Sequence, residues 1–181
     1  MTADLSRILL TEGEIKARTQ ALGRQIAADY AGKDPLMVGI LSGSFLFIAD
    51  LVRAMNLHIG VDFMAVSSYG DRTTSSGVVR ILKDLNSSIA GRDVILVEDI
   101  VDSGLTLDYL VHNLRTRHPA SLRVAALLDK QEARQRAVEL AYVGFECPNE
   151  FVVGYGLDYG GRYRNLPFIG VLRPEVYRKG D

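Results

Sequence analysis

Apolar residues recur in two different periods along the chain, and each change of period marks an element. Ile15, Leu22, Ile26 and Tyr30 return at roughly helical intervals until Gly32-Lys33-Asp34-Pro35 stops the run. Thr11 and Glu14 have capping-box spacing, so an amphipathic helix is predicted to start there. The run LMVGIL (36–41) reads as a buried strand, SGS (42–44) as a tight turn, and FLFIADLVRAM (45–55) as a largely buried helix. Ile59, Val61, Phe63 and Ala65 then alternate as a second strand. SSYGDRTTSSG (67–77) offers almost nothing to bury before apolar residues resume in VVRIL (78–82), which predicts a long loop between two hairpin strands.

DVILV (93–97) reads as a central strand and LRVAALL (122–128) as the next. Between them Thr106 to Leu114 forms a helix with Leu107, Leu110, Val111 and Leu114 on its packed side. Repeated strand and helix crossovers predict an α/β fold with a mainly parallel sheet covered on both faces. Beyond residue 130 the pattern is less regular: a charged, mixed stretch, a short strand within 150–156, and a polar turn that returns to an apolar run. This part reads as a flap or hood, mainly residues 130–181. With no Pro/Gly-rich divider, residues 1–181 are expected to form a single domain.

Composition narrows the function classes. With 48% hydrophobic residues the 181-residue chain can build one substantial core. Its 21 Lys and Arg against 22 Asp and Glu give a formal charge of -1, so no general attraction to nucleic acid or anionic membrane is expected, although a local phosphate site is compatible with it. The N-terminal residues meet charge too soon for a secretory signal, and there is no apolar run of about 18 residues to span a bilayer, so a cytoplasmic protein is expected. Cys147 is the single cysteine, which excludes an internal disulfide and a multi-thiolate metal site. His58, His112 and His118 lack metal-cluster spacing and are expected to be structural or exposed.

The chemistry concentrates in VILVEDIVDSGLTL (94–107), where two adjacent acids end a buried strand and a third stands just past it. Side chains alternate across a strand, so Glu98 and Asp99 should point to different sides, which argues against a proton-sharing carboxylate pair. Such acids suit hydroxyl donors, such as a ribose diol, or a hydrated magnesium ion. Gly104 can bend the backbone so that amides at the next helix start face outward beside the Ser103 and Thr106 hydroxyls, which forms a phosphate cradle. Asp102 would repel a phosphate if aimed into that cradle, so it should either cap the helix or turn toward another part of a substrate to exchange a proton. No GxxxxGK[ST] occurs, and the glycines of GYGLDYGG lack dinucleotide spacing.

VEDIVDSGLT (97–106) resembles the phosphoribosyl-diphosphate-binding motif of the type I phosphoribosyltransferases. With LSGSFLFIADL (41–51), SSYG (67–70), LLDK (127–130) and FVVGYGLDYGGRYR (151–164), nearly the whole chain is similar to the bacterial 6-oxopurine phosphoribosyltransferases. The resemblance implies the type I phosphoribosyltransferase fold and Mg²⁺-dependent transfer of phosphoribose from 5-phospho-α-D-ribose 1-diphosphate to N9 of hypoxanthine or guanine. It implies that Glu98 and Asp99 address the ribose hydroxyls, directly or through Mg²⁺, and that Ser103, Gly104, Leu105 and Thr106 hold the 5-phosphate. Asp102 would accept a proton near purine N7 and Lys130 would donate to O6; Phe151 would stack on the base and the Val152 backbone would read its edge. Asp158 would serve the metal beside the base. Leu41, Ser42, Gly43 and Arg164, with Ser68 and Tyr69 of a mobile 67–77 loop, would bind pyrophosphate. The family also implies a non-proline cis peptide at Leu41-Ser42 and a homodimer or homotetramer.

Ser42 and Leu105 stand where relatives carry lysine, so both anion sites should rely on backbone groups and hydroxyls. Two rival functions follow from the same residues: an RNA-binding regulator on this fold, and a transferase preferring xanthine or a pyrimidine. Near-neutral charge weighs against the first, and Lys130 with Phe151 against a pyrimidine.

Overall fold

In the computed structural model, which describes residues 1–69 and 78–177, the helical and alternating periods resolve into four helices and nine strands. In chain order these are β1 (Leu5–Leu10), α1 (Glu12–Asp29), β2 (Leu36–Leu41), α2 (Phe45–Arg53), β3 (Gly60–Tyr69), β4 (Val78–Lys83), β5 (Asp93–Val101), α3 (Leu105–Arg115), β6 (Ser121–Asp129), β7 (Tyr142–Glu146), β8 (Val152–Val153), β9 (Ile169–Leu172) and α4 (Pro174–Tyr177). α1 begins as its spacing predicts: the Glu14 amide donates to Thr11 Oγ1 and the Thr11 amide to the Glu14 carboxylate. Among the described residues no helix is long and apolar enough to cross a membrane.

Six strands form one sheet in the order β4-β3-β2-β5-β6-β7, parallel throughout except for β4, which returns as a hairpin on β3. Both faces are covered. Met37, Ile95, Val97, Ala125 and Leu127 face α1 and α2, with Phe47 and Leu51 of α2 wholly buried among them. Val38, Ile40, Val94, Leu96, Val124 and Ala126 face Leu107, Leu110 and Leu114 of α3. At the β7 edge, Arg18 of α1 donates to the main-chain carbonyls of Val143 and Gly144, occupying acceptors that an open edge would leave bare.

A smaller sheet, β1-β9-β8, forms the hood. Two boundaries differ from expectation. Of the 130–181 segment, residues 142–146 belong to the main sheet as β7, while the N-terminal strand β1 joins the hood by pairing antiparallel with β9. The expected loop at 67–77 starts later, because β3 continues through Tyr69 opposite Val78; residues 70–77, and the side chains of Ser68 and Tyr69, lie outside the described residues. The hood is tied to the main domain by Tyr155, whose hydroxyl donates to the Asp50 carboxylate of α2 at 2.7 Å.

Phe47 locks α2 onto the sheet directly after the 42–44 turn, so truncating it removes a buried ring that the surrounding helix and strands cannot collapse to replace. Phe47→Ala is expected to lower unfolding free energy by about 3–5 kcal/mol, read from urea denaturation midpoints.

Candidate active site

Every chemistry-bearing segment of the main domain converges on the carboxyl edge of the parallel sheet. After β2 the chain moves to β3 on one side and later to β5 on the other, so the crevice at the ends of β2 and β5 is a topological switch point. Pairing between them stops at Gly39 and Val97, while β5 runs on to Val101 paired only with β6. Glu98 and Asp99 sit where that seam opens.

The strand pleat sends the two acids to different layers, as alternation requires. Glu98 continues the α3 side and, with Asp102, Ser103, Gly104 and Thr106, lines a depression of about 110 Å³. Asp99 continues the α2 side and meets the 42–44 turn so closely that a Cβ on Gly43 would lie 1.7 Å from Asp99 Oδ2. Gly43 is covered in turn by the hood: a Cβ on Gly156 would approach the Gly43 carbonyl oxygen to 2.1 Å. Glycine at both positions lets three backbones meet at one point. The peptide entering this turn, Leu41-Ser42, is cis as expected.

Gly104 adopts φ +81° at the N-cap of α3, and no side chain caps the helix. Asp102 therefore does not take the capping role; its carboxylate is mostly exposed and stands 3.5 Å from Lys130 Nζ. The Leu105 amide reaches Ser103 Oγ at a long 3.4 Å, and the next amides have no carbonyl within their own helix to bond, so the loop presents several donors around one small concavity. Lys130 follows β6 directly, is 8% exposed, and its amide donates to the Val101 carbonyl, which fixes it beside Asp102.

The hood supplies the opposite wall. Phe151 stacks on Tyr177 with centroids 4.9 Å apart and lies nearly perpendicular to Tyr159, yet stays 36% exposed. The Leu172 amide donates to the Phe151 carbonyl, so in antiparallel alternation the next pair, Val152 and Val171, is the one whose polar groups turn outward. β8 is an edge strand, and the Val152 main chain thus faces the open side. Asp158 accepts from the Gly161 amide and from Arg164 Nη2, both at 2.7 Å, while Arg164 Nη1 donates to the Gly156 carbonyl; among the described residues the remaining guanidinium N–H groups have no hydrogen-bond partner.

Among the described residues no cationic side chain forms an ion pair with Glu98 or Asp99; Lys130, Arg134 and Arg164 pair with other carboxylates. Burial, reinforced by the charge of Asp99, pushes the Glu98 carboxyl well above the ordinary carboxylate range. Burial also pushes Asp99 up to about 6, against the pull of the Ile100 amide, its own amide and Arg164, with the Asp158 charge pushing the same way as burial. Among the described residues no three His, Cys, Asp or Glu side chains converge as a metal cage. A small hard cation here would rest on one or two carboxylates and complete its shell with ligand oxygens and water, which is the habit of Mg²⁺. Two carboxylates, one buried and one half-buried, that no cationic side chain pairs among the described residues are a donor set such an ion fits.

Of the expected site residues, the structure brings Glu98, Asp99, Asp102 to Thr106, Lys130, the 41–43 turn, Phe151, Val152, Asp158 and Arg164 around this crevice. Ser68 and Tyr69 contribute only described backbone, at the end of β3. His58, His112 and His118 are exposed, away from the acids. Asp129 and Arg134 come unannounced. Their buried ion pair underlies the 101–104 turn, and only the adjacency of Asp129 to Lys130 in LLDK hints at it.

Because the raised carboxyl favours its protonated form in the folded state, Asp99 adds stability below about pH 4, and that contribution is lost as pH rises through about 6. Asp99→Asn is therefore expected to raise the Tm of the ligand-free protein at pH 7.5 by about 2–8 °C, on the order of 1–2 kcal/mol. Calorimetry should find that advantage shrinking as pH falls from about 6 toward 4.

Comparisons with known proteins agree with this geometry. Residues 7–160 match the family described as the phosphoribosyl transferase domain. The chain is 56% identical over 97% of its length to the hypoxanthine-guanine phosphoribosyltransferase of Mycobacterium avium, covering 90% of that protein. It is 51% identical over 98% of its length to the bifunctional protein TilS/HprT of Listeria innocua, of which it spans only 27%. A crystal structure of a hypoxanthine phosphoribosyltransferase from Staphylococcus aureus superposes with a TM-score of 0.94 at 49% identity, covering 98% of this chain and 96% of that one. A strand-end acid pair, a phosphate-shaped turn and a match across most of the chain lead to one conclusion: the chain belongs to the phosphoribosyl transferase family.

Proposed function

We propose that this protein transfers phosphoribose from 5-phospho-α-D-ribose 1-diphosphate to N9 of hypoxanthine or guanine, releasing IMP or GMP and pyrophosphate. The observation that carries it is the placement of Lys130 Nζ 3.5 Å from Asp102, with Phe151 and the outward main chain of Val152 on the facing hood. A 6-oxopurine in that gap has an acceptor at O6 for Lys130, a proton at N7 for Asp102 and a flat face for Phe151. A pyrimidine offers the same wall a smaller ring and no N7.

The Gly104, Leu105 and Thr106 amides with the Ser103 and Thr106 hydroxyls hold the 5-phosphate, and Leu105 supplies backbone alone. Glu98 and Asp99 take the ribose hydroxyls, directly or through water on a metal. The turn at Leu41, Ser42 and Gly43 and the guanidinium of Arg164 face the pyrophosphate, with Ser68 and Tyr69 arriving from the end of β3. Asp158, Glu98 and Asp99 do not converge on one point, so Mg²⁺ would rest on one or two of them at a time, with ligand oxygens and water completing its shell, and would neutralise charge building on the departing pyrophosphate.

As N9 bonds to C1 of the ribose, the C1–O bond to pyrophosphate breaks and the N7 proton passes to Asp102. Lys130 meets the negative charge gathering at O6, and Arg164 that on the leaving group, so the interactions strengthen as charge separates. Locating the reaction in the cytoplasm, and in a homodimer or homotetramer, belongs to the same proposal.

Incubating the protein with the ribosyl donor, Mg²⁺ and hypoxanthine, guanine, xanthine, adenine or uracil separately should give IMP and GMP fastest; nucleotide from xanthine or uracil alone would overturn the assignment, as would salt-sensitive RNA binding with no base consumed. Asp102→Asn, which keeps size and exposure, is expected to lower the single-turnover rate by about 10²- to 10⁴-fold with Tm little changed. Chromatographic detection of nucleotide distinguishes that from loss of folded protein.

A further inference from the structure

Asp102 is held in place by very little of its own side chain. The carboxylate is 58% exposed and its one ionic partner among the described residues, Lys130 Nζ, is 3.5 Å away, so its direction is set by the main chain beneath it. That main chain is gripped from below by Arg134. Arg134 Nε donates to the Asp102 carbonyl at 3.1 Å and Nη2 to the Val101 carbonyl at 3.3 Å, while Nη2 also pairs with the buried Asp129 carboxylate.

Asp129 is in turn anchored. It ends β6, its second carboxylate oxygen accepts from Gln131 Nε2 at 3.2 Å, and its carbonyl accepts from the Cys147 amide at 2.8 Å. Beyond Arg134 the chain clasps the same turn again, with the Gln135 and Arg136 amides donating to the Ser103 carbonyl at 2.8 and 3.0 Å. A Cβ on Gly104 would lie 2.5 Å from the Arg136 carbonyl oxygen, so the clasp leaves no slack. The guanidinium fork suits the task, because three planar N–H directions meet two carbonyls and a carboxylate at once, which a lysine ammonium on a flexible stem cannot reproduce.

We infer that Arg134, anchored by Asp129, is the positioning residue for Asp102: it fixes the Val101 and Asp102 carbonyls, one in each of the two peptides that flank the Asp102 Cα, and so aims the carboxylate at the base. Arg134 has this role only if Asp102 is the proton acceptor proposed above, and the two are separable. Misplacing a reacting group by about 1 Å costs on the order of 10²-fold in rate. The guanidinium bonds neither the acids at 98 and 99 nor the donors at 104–106, and only the aliphatic stem of Arg134 packs beneath Gly104, so a change that keeps the stem should alter turnover more than binding of the ribosyl donor.

The test is a double-mutant cycle on single-turnover nucleotide formation from hypoxanthine. Arg134→Lys keeps a cation beside Asp129; the pair Arg134→Gln with Asp129→Asn removes both charges together and serves if the lysine variant is poorly folded. Either is expected to slow turnover by about 10- to 100-fold with KM for the ribosyl donor within about twofold and Tm near that of the parent. In an Asp102→Asn background the same changes should cost less than about twofold, because there is no proton acceptor left to aim. Equal fold losses in both backgrounds, or parental rates in folded Arg134 variants while Asp102→Asn is impaired, would overturn the role of Arg134 alone. An unimpaired Asp102→Asn would overturn both it and the proposed proton acceptor.

Discussion

Placing a buried Glu98 and a half-buried Asp99 on opposite faces of β5, at the open seam between β2 and β5, is the constraint on which the rest of this structure depends. Two like-charged carboxylates removed from water destabilise a fold unless something cationic or hydrogen-bonding meets them. Arg164 is the nearest help for Asp99, and Asp158 holds that guanidinium on one side. The protein thus keeps, at the mouth of its crevice, two carboxyls whose ionised forms the fold disfavours, and hydroxyl donors or a cation binding there would relieve that cost. The cost is borne by the core. Val94 to Val97 are wholly buried, and α1, α2 and α3 cover both faces around them.

The pleat of β5 converts two adjacent acids into two connected half-sites. Through Glu98 the strand end speaks to the 102–106 turn at the start of α3; through Asp99 it speaks to the 42–44 turn at the start of α2 and to the hood at Gly156. A sugar bridging the acids therefore has one anion-binding turn on each side, which matches a molecule with a phosphate at one end of a ribose and a diphosphate at the other. The distances that enforce this are backbone distances. Gly43 and Gly156 admit no side chain, so the hood cannot shift relative to β2 without disturbing the contact beneath Asp99.

What was legible in the sequence is what local order encodes. The run from Val94 to Leu107 carries strand, turn and helix start in one contiguous stretch, and its alternation alone places the two acids on opposite faces. The capped helix at Thr11, the hairpin from Gly60 to Lys83 and the strand at 121–129 likewise follow from period and punctuation. β1 did not, because its middle residues are exposed and its partner β9 lies some 160 residues away, so no local alternation announces it. β7 is five residues long and stands within a charged stretch; it becomes a strand because Val143 and Phe145 register against Ala126 and Leu128 of β6. Arg134 was illegible for the same reason. It lies in irregular chain, and its meaning comes from carbonyls more than thirty residues earlier.

Lys130 and Asp102 show how the site holds a pair ready without locking it. At 3.5 Å, with Asp102 mostly exposed and Lys130 nearly buried, the contact is loose for an ion pair, and solvent screening on the aspartate side keeps its energy small. Each residue is nonetheless fixed from behind: Lys130 by its amide on the Val101 carbonyl, Asp102 by the guanidinium on its own carbonyl. A strong direct pair would have to be broken before a base could enter. A weak pair on two rigid mounts can be parted by a ligand at the cost of one poor contact. Both mounts converge on the Val101 carbonyl, which accepts from Lys130 and from Arg134 together, so the ammonium and the Asp102 carboxylate share one mechanical reference at the end of β5.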